Sequence, residues 1–144
     1  MNNDKQIIEI YTDGACSNNQ NREVSVGGWA YHLSYLGFEK IGKGQVKNTT
    51  NIRMEMTAVI EALKAIKKTD ISVSIHSDSQ LVVDTIQKGW KRNSNIDLWH
   101  EMDEQLARFK DVKFVKVKGH SSDVYNILVD KLAVEMTKAE VRND

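Results

Sequence analysis

The periodicity of the apolar residues changes repeatedly along this chain, and the order of those changes restricts the fold more than any other feature. Residues 71–77 alternate Ile71, Val73 and Ile75 with Ser72, Ser74 and His76, the period of a half-buried strand. Residues 5–13 are an Ile-rich strand pattern, and residues 24–35 a second one with an irregularity at Gly27-Gly28. Leu36-Gly37 suits a tight turn into a third strand near 38–48, which makes a hairpin of strands two and three. A helix is expected from about Asn51 to Lys68, with Thr50 or Asn51 as its N-cap and lysines in its last turn. Helical spacing returns from Ser79 to Lys88, where Gly89 stops it, and again from Asp97 to Lys110, with Leu98, Met102, Leu106 and Phe109 on one stripe. A fifth strand (112–118) and a last helix (123–140) complete the chain. This order predicts an α/β fold whose mixed five-stranded sheet joins an antiparallel meander to two parallel strands through crossover helices.

With 144 residues the chain is expected to form one domain over 1–144, burying ~70% of its unfolded surface. It contains no proline, no internal repeat and nothing that marks a linker. No run approaches the roughly 20 apolar residues of a membrane span, and no signal-peptide pattern is present, so no membrane partner is expected. The single cysteine, Cys16, excludes an internal disulfide framework and suits a cytoplasmic location; it reads as a small packing residue. Lysine and arginine balance the acids to a net charge of zero. The global field therefore does nothing to attract nucleic acid, and any phosphate binding must come from local patches or bound metal.

Four carboxylates stand out among the 20 acidic residues. Asp13 and Asp78 close apolar strand-like runs, while Glu55 and Asp130 fall on the expected apolar stripes of two helices. Three of them have a local explanation to be weighed. Asp13-Gly14 is a turn pair, Glu55 lies in a first helical turn where the dipole favours an acid, and Asp78 is placed to cap a helix, although Ser77 or Ser79 could do so instead. Asp130, in mid-helix with Ile127 and Val134 on its face, has neither excuse. Four such acids, from two strand ends and two helices, could converge on one patch at a sheet edge. An all-oxygen set suits Mg²⁺ or Mn²⁺ rather than zinc, and paired Mg²⁺ ions suit displacement at phosphorus.

The motifs YTDGAC (11–16), TTNIRMEM (49–56), SDSQ (77–80), KGH (118–120) and VDKLA (129–133) resemble, in order and over nearly the whole chain, those of type 1 ribonuclease H. The resemblance implies a ribonuclease H fold and metal-dependent endonucleolytic hydrolysis of the RNA strand of RNA–DNA hybrids, giving 5′-phosphate and 3′-hydroxyl ends. It implies two Mg²⁺ ions, with Mn²⁺ as a substitute. Asp13 would bridge both, Glu55 and Asp78 would hold the one on the leaving-group side, and Asp130 would hold the one that activates water. His120 matches the family's histidine for proton transfer or product release. Asn19, Thr50, Asn51 and Gln80 match positions that contact the hybrid's backbone or minor groove, work suited to neutral polar side chains that read shape rather than sequence. A monomer is expected. The remaining histidines are expected to be structural (His76) or exposed in loops (His32 and His100).

Three departures qualify the resemblance. SNNQNREVSV replaces the family's Gly-Pro-rich stretch, Ile52 stands where relatives often carry a second asparagine, and Gly89-Trp90-Lys91-Arg92 is all that corresponds to a basic protrusion. Lys88, Lys91 and Arg92 around Trp90 read as a solvated helix end with one packed tryptophan. Modest hybrid affinity with a shallow salt dependence follows. Two other readings remain: a nuclease of the same fold acting on other nucleic acids, and a non-catalytic hybrid-binding homologue, which would have no use for four clustered anions.

Overall fold

A computed structural model describes residues 6–118 and 123–139. Five strands form one sheet: β1 (Ile7–Ser17), β2 (Val26–Tyr35), β3 (Phe38–Lys47), β4 (Ser72–Ser77) and β5 (Val112–Lys116). Their spatial order is β3-β2-β1-β4-β5, antiparallel from β3 to β1 and parallel from β1 to β5. The helices are α1 (Asn51–Lys64), α2 (Gln80–Lys88), α3 (Ile96–Leu106) and α4 (Val124–Lys138). The expected α/β architecture and element order are observed. The main core lies where Val59, Ile60 and Leu63 of α1 meet Ile8, Ile10, Val73 and Ile75 of the sheet. Among the described residues no helix is long and apolar enough to cross a membrane.

Most local signals act as expected. Leu36 and Gly37 both take positive φ (49° and 84°), the backbone of a two-residue hairpin turn. Thr50 caps α1 by accepting from the Arg53 amide, Ser79 caps α2 by accepting from Val82, and Gly89 ends α2 in the left-handed region at φ 66°. Helix α1 stops at Lys64, short of the expected Lys68, and its end is held from another element. Arg108, beyond α3, donates to Leu63 O at 3.0 Å and to Ile66 O at 2.6 Å.

Three expectations are corrected. First, β1 does not end at Asp13 but runs on to Ser17, since residues 13–17 pair with residues 26–30 of β2. Asp13-Gly14 is therefore mid-strand rather than a turn. Second, Gly27-Gly28 is no irregularity, for both residues pair in unbroken register with β1 and β3. Their role is to admit neighbours: a Cβ on Gly27 would meet Thr49 and Met54, and one on Gly28 would collide with the Ala133 carbonyl of α4. Third, α4 does not bury the face of Ile127 and Val134, which are 54% and 36% exposed; it buries Asn126, Val129 and Ala133. Apolar residues surround α4 on several sides, so periodicity did not select a face. The close approach at Gly28 did.

Candidate active site

The parallel pairing of β1 with β4 ends where Thr12 meets Ser77. The next residue on each strand is an aspartate, so Asp13 and Asp78 emerge together at the edge where parallel strands of an α/β sheet present ligand sites. Asp13 is held on its other side by pairing with Ala30 of β2, which gives it the rigidity of a central strand. Helix α1 brings the third acid. A Cβ on Gly14 would collide with the Glu55 amide and crowd the Met54 backbone, so glycine here is what lets α1 close on β1 and set Glu55 beside Asp13. Glu55 lies on the same buried face as Val59, Ala62 and Ile66, as its spacing predicts.

Ligand oxygens of Asp13, Glu55 and Asp78 all lie within 4.8 Å of one another. Asp13 is only 3% exposed and Glu55 6%. Asp13 Oδ1 accepts from the Gly14 amide at 2.9 Å. Ser79, not Asp78, caps α2, so the competing explanation for Asp78 does not apply. Glu55 Oε2 is buried without a hydrogen-bond partner, a state that costs about 1–3 kcal/mol or more if nothing satisfies it. Three converging carboxylates with a buried, unsatisfied oxygen suit a hard divalent cation.

The electrostatics agree. Burial, the neighbouring Asp78 charge and a hydrogen bond with Asp130 push the Asp13 carboxyl up to about 8. Burial, then the charges of Asp13 and Asp78, hold Glu55 well above the usual carboxylate range. Asp78 is raised mainly by burial, while its hydrogen bond with Asp13 and the Lys116 charge work the other way. Without a cation, burial and mutual repulsion disfavour their joint ionisation, and the three carboxyls titrate as a set. A bound cation would release their protons.

Asp130 sits apart from this triad in environment. It lies on an exposed part of α4, yet is close enough to raise both Asp13 and Asp78. It lies near the cluster but is not one of the three whose oxygens converge, and the reasoning from a buried stripe does not hold. His120 lies outside the described residues. Asn19, Thr50 and Asn51 do converge, lining one cleft with Ile52, Ser94 and Asn95. Asn19 Oδ1 accepts from the Asn51 amide at 2.7 Å, fixing the loop after β1 to the start of α1. Gln80 does not line this cleft; it opens α2, two residues beyond Asp78.

Sequence reasoning missed Ser94 and Asn95. Asn95 takes a left-handed conformation (φ 56°) before α3, and its Oδ1 accepts from Arg53 at 3.2 Å. An asparagine just ahead of a helical pattern was the available signal. Three other expectations change. His32 is on β2 and 2% exposed, not in a loop, while His100 is exposed but helical. Trp90 is 42% exposed rather than packed, with the Lys88 ammonium over its ring at 5.7 Å. Arg92 is held by Asp103 and stacks over Trp99.

The sheet and its carboxylate cluster define the class: an α/β protein suited to holding a divalent cation at the ends of two parallel strands. The chain belongs to the ribonuclease H family, whose family model matches residues 4–138. A relative from Thermoanaerobacter sp. (strain X514), named ribonuclease H, is 42% identical over 158 aligned residues that cover 100% of this chain and 98% of the relative. Among solved structures, LC9-RNase H1, described as a type 1 RNase H with the type 2 active-site motif, superposes with a TM-score of 0.79 at 27% identity, covering 96% of this chain and 75% of that one. LC11-RNase H1, solved in complex with an RNA/DNA hybrid, shares the fold with a TM-score of 0.77 at 23% identity, covering 91% and 96%. The chain is thus an enzyme of the ribonuclease H family, and membership implies hydrolysis of RNA in hybrids.

Proposed function

We propose that this protein is an endoribonuclease that cleaves the RNA strand of RNA–DNA hybrids with two Mg²⁺ ions, or Mn²⁺ in their place, leaving 5′-phosphate and 3′-hydroxyl ends. The observation that carries the reading is the buried triad of Asp13, Glu55 and Asp78 with its unsatisfied Glu55 oxygen. Asp13, Glu55 and Asp78 would hold one ion, and Asp130, from the open side, would join Asp13 in holding the other. Such ions supply charge neutralisation at phosphorus, a water of lowered pKa and stabilisation of the leaving oxygen. The protein's own contribution is to preorganise the anions on a rigid strand pair and a closely packed helix, so that little reorganisation accompanies reaction.

Asn19, Thr50 and Asn51, with Ser94 and Asn95, line a neutral polar cleft suited to phosphate, ribose and groove contacts that ignore sequence. Gln80 would act from the Asp78 side, and His120 would move a proton or assist release of product. The hybrid seen in LC11-RNase H1 supports this substrate class. A single-domain monomer in the reducing cytoplasm fits the lone Cys16.

The test is cleavage of an end-labelled RNA–DNA hybrid by purified protein with Mg²⁺ or Mn²⁺, with Asp13→Asn as control. RNA fragments carrying 5′-phosphates are expected. Absence of cleavage with either metal would refute the reading, and faster cleavage of duplex or structured DNA in a substrate panel would transfer the activity to another nucleic acid.

A further inference from the structure

Helix α4 is seated on the sheet by a cluster of its own: Ala30, Val129 and Ala133 are buried in it, with the partly buried Tyr11, Ala15 and Leu132 packed around them, whereas α1 sits in the main core along Val59, Ile60 and Leu63. Helix α4 must hold Asp130 beside Asp13, with which it shares a hydrogen bond, and near Asp78.

Polar clamps grip α4 at both ends. At its start, the N-cap Asp123 uses both oxygens: Oδ1 accepts from the Tyr125 amide at 2.9 Å, and Oδ2 accepts from the Tyr11 hydroxyl of β1 at 2.9 Å. Tyr11 is itself braced in a row across three strands, paired to His32 on β2 and His76 on β4. Its ring stacks on His76 at 4.3 Å, while Tyr125 stacks on His32 at 4.2 Å. Glu9 holds the His76 ring at 2.9 Å and Glu39 the His32 ring at 2.7 Å. At the far end, Gln45 of β3 donates to Ala139 O at 2.9 Å and to Met136 O at 2.8 Å, which also accepts from the Ala139 amide at the helix end. Asp130 lies between, two turns and about 10 Å beyond Asp123 and on nearly the same face.

We propose that Tyr11 and Gln45 are positioning residues: their hydrogen bonds to the two ends of α4 keep Asp130 against Asp13 and Asp78, and so tune the metal site without touching metal or substrate. This rests on the reading of Asp130 as a ligand given under Proposed function. Loss of both clamps would free the ends of α4 and loosen the hold on Asp130.

The test compares Tyr11→Phe, which keeps the ring stack and loses the hydroxyl, with Gln45→Leu, which keeps size and loses the donor. Gln45→Lys restores a donor suited to a helix C-terminus. Phe109→Leu, in the core away from α4, controls for lost stability. Mg²⁺ affinity is measured by calorimetry without substrate, amide exchange of α4 without metal, and kcat and KM with hybrid. The expected result is faster exchange in α4 and Mg²⁺ binding weakened about 10-fold in the Tyr11→Phe, Gln45→Leu pair. A fall in kcat with KM nearly unchanged should accompany it, with recovery in Gln45→Lys and wild-type affinity in Phe109→Leu. Unchanged Mg²⁺ affinity in the double variant, or an equal loss in Phe109→Leu, overturns the proposal. Because calorimetry and exchange need no hybrid, a wild type that binds Mg²⁺ but cuts no hybrid tells against the proposed activity alone.

Discussion

At the scale of single residues, the chemistry concentrates in Asp13. Replacing it by asparagine removes the central carboxylate of the cluster, and hybrid cleavage should fall by more than ~100-fold, because even the partners of metal ligands cost ~10–100-fold when lost. The same substitution should stabilise the metal-free protein at alkaline pH. The folded Asp13 carboxyl ionises near 8, far above its ordinary value of 3.8, with burial the main cause. Between those values the folded state binds more protons than the unfolded one, so stability without metal falls as pH rises from about 4 to about 8. Denaturant titrations in EDTA should show that decline, with Asp13→Asn flattening it and gaining at least ~1 kcal/mol at pH 8. The metal's effect has the opposite sense: Mg²⁺ competes with the retained protons, so its affinity should increase with pH over the same interval, and calorimetry in two buffers would register the protons released.

Elements place these residues, and two contacts between elements carry most of the placement. Gly14→Ala would force β1 and α1 apart at the Glu55 amide, where neither backbone can yield cheaply. A loss of about 2–3 kcal/mol by chemical denaturation is expected, together with weaker Mg²⁺ binding as Glu55 withdraws. An unchanged midpoint would mean that α1 is free to shift. Thr50 serves both as the N-cap of α1 and as a wall of the polar cleft. Thr50→Ala should cost about 1 kcal/mol of stability and raise KM for the hybrid, whereas Thr50→Ser, which keeps the hydroxyl, should restore stability. Equal KM for the two variants would assign the binding effect to the lost methyl group.

At this scale the sequence was legible where signals are short-range. Leu36-Gly37, Ser79 and Gly89 act through their own backbone geometry, and the spacing of Glu55 with Val59, Ala62 and Ile66 needs only helix periodicity. The end of β1 was not legible, because Asp13-Gly14 reads locally as a turn. Only the pairing of residues 13–17 with β2 makes it strand. The face of α4 was illegible for a similar reason: apolar residues lie around it, and the choice was made by Gly28 on another element.

For the molecule as a whole, charge sets the manner of substrate binding. The net charge is zero, and several cations near the cleft are already engaged, Arg53 by Asp97 and Arg92 by Asp103. Hybrid binding should therefore lean on neutral contacts and bound metal. Raising salt from 50 to 200 mM is expected to weaken binding about 10-fold, well short of the ~10³–10⁵ loss of proteins with six to ten phosphate contacts. A loss of that larger size in a filter-binding series would show that phosphate contacts dominate after all.

By itself the sequence determined the order of strands and helices, the caps and turns between them, and the identity of the acids at the site. These follow from interactions among residues a few positions apart, where periodicity and turn chemistry are decisive. The tertiary structure alone decided how those acids behave. It set Asp13 in mid-strand, brought Glu55 onto it through the space left by Gly14, and left Asp130 exposed on α4. It also set the direction in which the carboxyls of Asp13, Glu55 and Asp78 shift, upward, because desolvation and repulsion depend on distances between elements far apart in the chain.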